Sequence, residues 1–137
     1  MFLALVHSVY RKRHQTARLL NCIGTMTAVD IINWLDEESA EFPSRAGAEE
    51  FQRYIFRRLK PAAADCRDSL VEAMRTWISL RDETKTMLAV RIAVEYKLTE
   101  LRGDVERLLV DIEAGRCFLP YYAETIRASL KHLAVER

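Results

Sequence analysis

With 137 residues, of which 50% are hydrophobic and 30% are charged, the chain is long enough for a folded domain with its own core and is not typical of disorder. Four glycines and three prolines are too few turn formers for a fold of many strands, so the composition favours an all-α protein. The formal net charge of +1 differs from the strong positive charge that is usual in a dedicated nucleic-acid-binding domain.

The near-neutral total hides charged blocks. Residues 1–29 carry four Lys/Arg residues and no acid, residues 30–50 carry seven acids and one arginine, and residues 51–67 are basic again. Such blocks can pair with one another inside the fold or steer a charged partner.

The cellular compartment is indicated by the cysteines and by the apolar runs. Cys22, Cys66 and Cys117 are far apart and form no CxxC motif, which favours buried thiols in a reducing compartment. The apolar start of the chain lacks the pattern of a signal peptide, and no run of eighteen apolar residues predicts a transmembrane helix. We therefore expect a cytoplasmic protein without membrane contacts.

The first three predicted helices precede Pro61. The first covers residues 2–20 and becomes basic in its second half. Thr27 and Asp30 have the spacing of a capping box that opens a second helix, ending near residue 40. A third helix follows Pro43, is capped by Ser44 and ends near Leu59, because Pro61 suits the first turn of a new helix.

The dominant pattern is an apolar seam with a repeat of seven between Cys66 and Ile112. Its members alternate at spacings of four and three, and only Thr84 and Arg91 interrupt them. The members are Leu70, Ala73, Trp77, Leu80, Met87, Val94, Leu98, Leu101, Val105, Leu108 and Ile112. The seam predicts an all-α bundle of about five helices, organised as one domain of residues 1–137 around one long helix at about 62–114. A polar window, residues 81–86, allows the alternative of a turn that makes this stretch a helical hairpin. Gly115 is expected to end the run, and Pro120 to open a last helix.

The seam changes in width along its length. Its first half is flanked by further apolar residues, as in a multi-helix core, whereas beyond Glu95 it is narrow, as in a coiled coil. The narrow part therefore predicts a surface for a protein partner or for a second copy of the chain. The residues expected to form it are Leu98, Leu101, Val105, Leu108, Leu109 and Ile112.

Two basic patches interleaved with aromatic residues predict an alternative, nucleic-acid-binding role, because Arg and Lys hold phosphates and aromatic rings stack on bases. The patches lie at residues 11–18 and 53–60. Their basic residues are Arg11, Lys12, Arg13, Arg18, Arg53, Arg57, Arg58 and Lys60.

Arg127 and His132 form an R-x4-H spacing on the last predicted helix. This spacing resembles the active motif of HEPN-type helical ribonucleases, in which the Arg and His act on the scissile phosphate. The resemblance implies a metal-independent ribonuclease, although Ala128 stands where that family tends to have a polar residue.

No other chemistry is predicted. His7, His14 and His132 lack partners at metal-ligand spacing, and no glycine-rich phosphate loop is present. Arg91, on the seam, is expected to set register or, alternatively, to bind an anion. We thus expect a non-enzymatic assembly or adaptor subunit with no cofactor, no metal and no catalytic residues.

Overall fold

The structure, a computed structural model, describes residues 26–41 and 48–134. Within these ranges every regular element is helical and no strand occurs, which confirms the all-α class. The helices are α1 (Ala28–Glu41), α2 (Ala48–Asp65), α3 (Arg67–Ser79), α4 (Glu83–Glu95), α5 (Arg102–Glu113) and α6 (Tyr122–His132), with a 3-10 turn at Thr99–Leu101. The predicted first helix, residues 2–20, lies outside the described residues.

The chain divides into two compact units, residues 1–70 and 71–137, which we call the N-terminal and C-terminal units. The assignment of residues 1–137 to one domain stays a prediction. None of the helices in the described ranges is both long and apolar enough to cross a membrane.

In the N-terminal unit, α1 begins as predicted. The Thr27 N–H donates to Asp30 Oδ2 at 3.0 Å and the Asp30 N–H donates to Thr27 Oγ1 at 3.2 Å, which is the reciprocal pair of a capping box. Ile31, Trp34 and Leu35 are buried on one face of the helix, whereas Val29 is exposed.

Helix α2 was predicted to end near Leu59, before Pro61. It instead continues to Asp65 with the proline inside it. Ile55, Leu59 and Ala62 form its buried stripe. Proline in a helix interior removes one backbone hydrogen bond and costs about 3 kcal/mol, so burial of this stripe on both sides of Pro61 offsets a local penalty. Only Cys66 separates α2 from α3, and its N–H still donates to the Ala62 carbonyl at 2.7 Å.

The prediction of one long helix at 62–114 is wrong. The stretch contains the end of α2, all of α3, α4 and α5, and the 3-10 turn. Two of the breaks lie at Arg81 and Lys97, which have φ values of 55° and 50°. Non-glycine residues avoid this left-handed region, so neither residue type is itself a signal for a helix end.

At the first break, residues 80–82 form the turn that had been the alternative to a continuous helix. The Arg81 N–H donates back to the Ile78 carbonyl at 3.4 Å. The Trp77 carbonyl, which α3 leaves unpaired, accepts a hydrogen bond from the buried Thr86 hydroxyl at 2.9 Å. Asp82 caps α4 by accepting from the Lys85 N–H at 2.9 Å.

At the second break, α4 ends in a Schellman motif with lysine at the left-handed position. The Lys97 N–H donates to the Val94 carbonyl at 3.2 Å, and the Leu98 N–H donates to the Ala93 carbonyl at 2.8 Å. Leu98 is fully buried, so the motif redirects the chain while it continues the core.

Replacing Lys97 by glycine is expected to raise the free energy of unfolding by about 0.5–1 kcal/mol, because the left-handed backbone strains a side chain but not glycine. The matched control is Arg91→Gly, at an exposed position inside α4, which is expected to lower stability by about 1 kcal/mol. Thermal unfolding followed by circular dichroism checks both signs. Destabilisation by both changes would contradict the left-handed backbone at residue 97.

Gly115 confirms the predicted end of the run. It has a φ of 73°, its N–H donates to Ile112 O and the Arg116 N–H donates to Asp111 O. This is a second Schellman motif, here with the residue type that such a motif prefers.

Although the long helix is absent, the seam residues still form the core. In the C-terminal unit α6 packs against both α4 and α5. The seam member Leu80 is 54% exposed, because it lies in the α3–α4 turn. The fully or almost fully buried seam members of this unit are Ala73, Trp77, Met87, Leu98, Leu101, Val105, Leu108 and Ile112.

Candidate interaction surface

The six residues predicted to meet a partner lie mostly inside the chain. Leu98, Leu101, Val105 and Leu108 have no exposed surface and Ile112 is 1% exposed, while Leu109 is half-buried. The seam is therefore core rather than a free face, and the surface predicted for a partner needs correction. The physical reason is that the chain folds back at residues 80–82 and 96–98, which lets short helices cover what one long helix would leave open.

The basic residues divide between outside and inside the described ranges. Arg11, Lys12, Arg13 and Arg18 lie outside them. In α2, Arg53, Arg57 and Lys60 are exposed, and Arg58 is half-buried. The aromatic residues between them, Tyr54 and Phe56, are also half-buried, and the Tyr54 ring lies 6.4 Å from that of Trp34.

The residues of the R-x4-H spacing are both exposed on α6. Arg127 lies 3.5 Å from Glu113 Oε1, in an ion pair between α6 and α5. Thr84 and Arg91, the polar seam positions, are exposed on α4 and do not enter the core. In residues 26–41 and 48–134, no group of three or more His, Cys, Asp or Glu side chains is arranged to hold a metal ion.

One group of side-chain hydrogen bonds in the C-terminal unit is centred on Asp111, near the end of α5. Arg81 donates to Asp111 Oδ2 from Nε at 3.1 Å and from Nη2 at 2.9 Å, and Arg116 donates to Oδ1 at 3.0 Å. The hydrogen bond from Arg81 lowers the pKa of the Asp111 carboxyl below its ordinary value. Arg81 also donates from Nη1 to the Ile78 carbonyl at 2.7 Å, so its guanidinium joins the end of α3 to α5.

A second arginine–aspartate pair joins α3 to α5, near the start of α5. Arg75 on α3 donates to Asp104 Oδ2 at 3.2 Å, and Arg107 donates to Asp104 Oδ1 at 2.9 Å. Arg75 pairs with Asp104, and the later Arg81 pairs with the later Asp111. This order of contacts indicates that α3 and α5 run in the same direction. Asp104 also lies in the first turn of α5, where a carboxylate interacts favourably with the helix dipole.

Aromatic residues of the α5–α6 connection reach the start of α4. The Tyr122 hydroxyl donates to Glu83 Oε1, and this hydrogen bond raises the pKa of Tyr122. The Tyr122 ring stacks on Tyr121 with centroids 4.4 Å apart and meets Phe118 at 5.6 Å. Phe118 has a φ of 55°, another left-handed backbone without glycine. Burial raises the pKa of the Cys117 thiol in this connection.

Exposed apolar side chains concentrate at this end of the C-terminal unit. Among the described residues five large apolar side chains are more than half exposed, and four of them belong here: Leu80, Val110, Leu119 and Tyr121, at 54%, 57%, 57% and 63%. We call these four the apolar end surface.

The contacts described above bring the four members to one end. Each member is next in sequence to a residue of one of two contact groups, Arg81 with Asp111 or Phe118 with Tyr122. Exposed apolar side chains gathered at one end of a unit are candidates for a site that a protein partner covers.

Most of this surface was missed in the sequence. Leu80 was assigned to the seam, Leu119 to a connection, and Tyr121 to the last predicted helix, which Pro120 was expected to open. No role was predicted for Val110. The one available signal was the Asp at the start of DETK, residues 82–85, since Asp is a preferred N-cap. It would have identified the start of α4 and so the exposed turn before it.

Comparison of the chain with models of protein families, with curated proteins and with solved structures gives no match in any of the three.

Proposed function

We propose that the chain is an assembly or adaptor subunit that binds a protein through the apolar end surface, rather than through the seam predicted from the sequence. The observation that carries the proposal is that four of the five exposed large apolar side chains among the described residues are next in sequence to residues of the two contact groups, at one end of the C-terminal unit. Isolated apolar residues are normal on protein surfaces, but a cluster of them loses contact with water favourably when a partner covers it.

The network beneath the surface supports the same role. The guanidinium of Arg81 and the carboxylate of Asp111 hold the α3–α4 turn against α5, and the Tyr122–Glu83 hydrogen bond holds the α5–α6 connection against α4. Anchoring side chains that are held in place before binding lose less conformational entropy on association. The cytoplasmic location belongs to this proposal and rests on the spacing of the three cysteines.

The test places aspartate on the surface. Leu80→Asp with Leu119→Asp is expected to weaken partner binding at least about tenfold, because each carboxylate would have to lose its water on association. Val29→Asp is the matched control, since Val29 is 63% exposed but belongs to the N-terminal unit. Both variants should unfold at nearly the wild-type temperature, because the replaced side chains lie outside the core.

Two measurements separate the kinds of partner. Light scattering over a range of protein concentrations detects a second copy, and affinity purification from the native host after nuclease treatment, with quantitative mass spectrometry, detects a different protein. The proposal requires that wild type and Val29→Asp behave alike and that the double variant loses the bound chain. A monomeric wild type whose co-purifying proteins are unchanged in the double variant would refute it.

A further inference from the structure

We propose that the outer face of α2 is a second, separate interaction surface, which binds the phosphate backbone of a nucleic acid. Its cationic residues are Arg53, Arg57 and Lys60. On an ideal helix these three positions fall within an arc of about 60° and along about 10 Å of the axis. All three are exposed, and the sequence has no acid from Phe51 to Ala64. The arrangement is therefore a continuous cationic stripe.

The stripe differs from most other exposed arginines in having little internal charge compensation. In the C-terminal unit most arginines pair with an acid, as Arg75 and Arg107 do with Asp104. Among the described residues, Arg53 on α2 has only a distant ion pair with Glu49, at 3.6 Å between two side chains that are 76% and 88% exposed. Arg57 and Lys60 have no ion pair or hydrogen bond within the described part of the chain. Two neighbouring positive charges are thus available to an external anion.

A nucleic acid fits this face better than an anionic membrane does. The apolar stripe of α2 is fully turned inward, since Ile55 and Leu59 have no exposed surface and Ala62 has 1%. A helix that lies on a membrane needs an exposed apolar face beside its charges. A row of cations without such a face matches a chain of phosphates, whose binding is driven by the release of counterions.

The exposure of the aromatic residues on α2 bears on whether the stripe contacts the bases of a nucleic acid or only its phosphates. Tyr54 and Phe56 are partly covered, and the Tyr54 ring centroid lies 6.4 Å from that of Trp34, so both rings offer less surface for a base to stack on than fully exposed rings would. The stripe is therefore expected to contact phosphates alone, without a preference for sequence and with strong dependence on salt.

The experiment uses the whole chain and a fluorescently labelled single-stranded RNA of mixed sequence, with anisotropy measured over a series of salt concentrations. The test variant is Arg57→Glu with Lys60→Glu. The control is Arg91→Glu with Lys131→Glu, which changes the net charge equally at exposed positions on α4 and α6 of the C-terminal unit that have no ion pair with another described residue. The test variant should bind at least tenfold more weakly at low salt. The slope of log affinity against log salt should fall by about 0.7 for each lost phosphate contact.

Three results would overturn the proposal. They are the absence of wild-type binding at low salt, equal losses in the test and control variants, and binding to vesicles of anionic lipid but not to RNA. Circular dichroism of both variants confirms that α2 stays folded. Failure here leaves the apolar end surface untouched, because its variants carry no change in α2.

Discussion

Leu108→Ala is expected to lower the free energy of unfolding by about 2–5 kcal/mol, because the side chain has no exposed surface and its removal leaves a cavity in the core. If the seam were a surface kept for a partner, the isolated chain would hardly respond to this change. Urea unfolding followed by circular dichroism measures the difference. A single measurement thus decides whether the narrow part of the seam belongs to the core of this chain.

Val110→Ala is the matched control, two residues farther along α5. Its side chain is 57% exposed, so the change is expected to remain within about 0.5 kcal/mol of wild type. Equal effects of the two substitutions would contradict the assignment of opposite faces of α5 to the core and to the apolar end surface.

Thr86→Val is expected to destabilise the chain by about 1–3 kcal/mol. The side chain is buried and nearly isosteric with valine, but its hydroxyl donates to the Trp77 carbonyl at 2.9 Å. Valine would leave that carbonyl without its partner, and a buried polar group without a hydrogen bond carries its full desolvation penalty. Thermal or urea unfolding of the purified variant gives the loss directly.

Thr86→Ser separates the hydroxyl from the methyl group. Serine keeps the donor and removes one methyl group, which is worth roughly 0.8 kcal/mol of burial. The valine variant should therefore be the less stable of the two. The reverse order would mean that packing, rather than the hydrogen bond to α3, is the main contribution of residue 86.

The periodicity of the sequence predicted the core better than it predicted the helices. Leu101, Val105 and Leu108 are buried as a seam requires, and both the capping box at Thr27 and the terminal Gly115 are found where expected. A sevenfold apolar repeat predicts which side chains are buried, and the repeat continues in register across the turns at 80–82 and 96–98. The repeat does not predict whether one helix is continuous across those turns.

The missed helix ends share a physical cause. Arg81 and Lys97 adopt a backbone conformation for which glycine or asparagine is the usual signal. Tertiary contacts stabilise both positions: the Arg81 guanidinium pairs with Asp111, and the Leu98 side chain enters the core beside Lys97. Such contacts join residues far apart in sequence, so local patterns cannot reveal them.

The candidate surface was missed for the same reason. Whether Leu80 is covered depends on the direction that the chain takes after Ser79, and whether Val110 is covered depends on where α6 packs. The basic stripe of α2 was visible in the sequence because it is local, and its three positions follow from helical spacing alone.

At Arg81 the backbone conformation and the side-chain contacts favour different residue types. Its left-handed backbone favours glycine, whereas its side chain closes the α3 terminus at Ile78 and holds α5 at Asp111. A change to glycine would relax the turn and at the same time remove one of the two arginine–aspartate contacts between α3 and α5. The two effects on stability have opposite signs, so a net stability near that of the wild type would hide both.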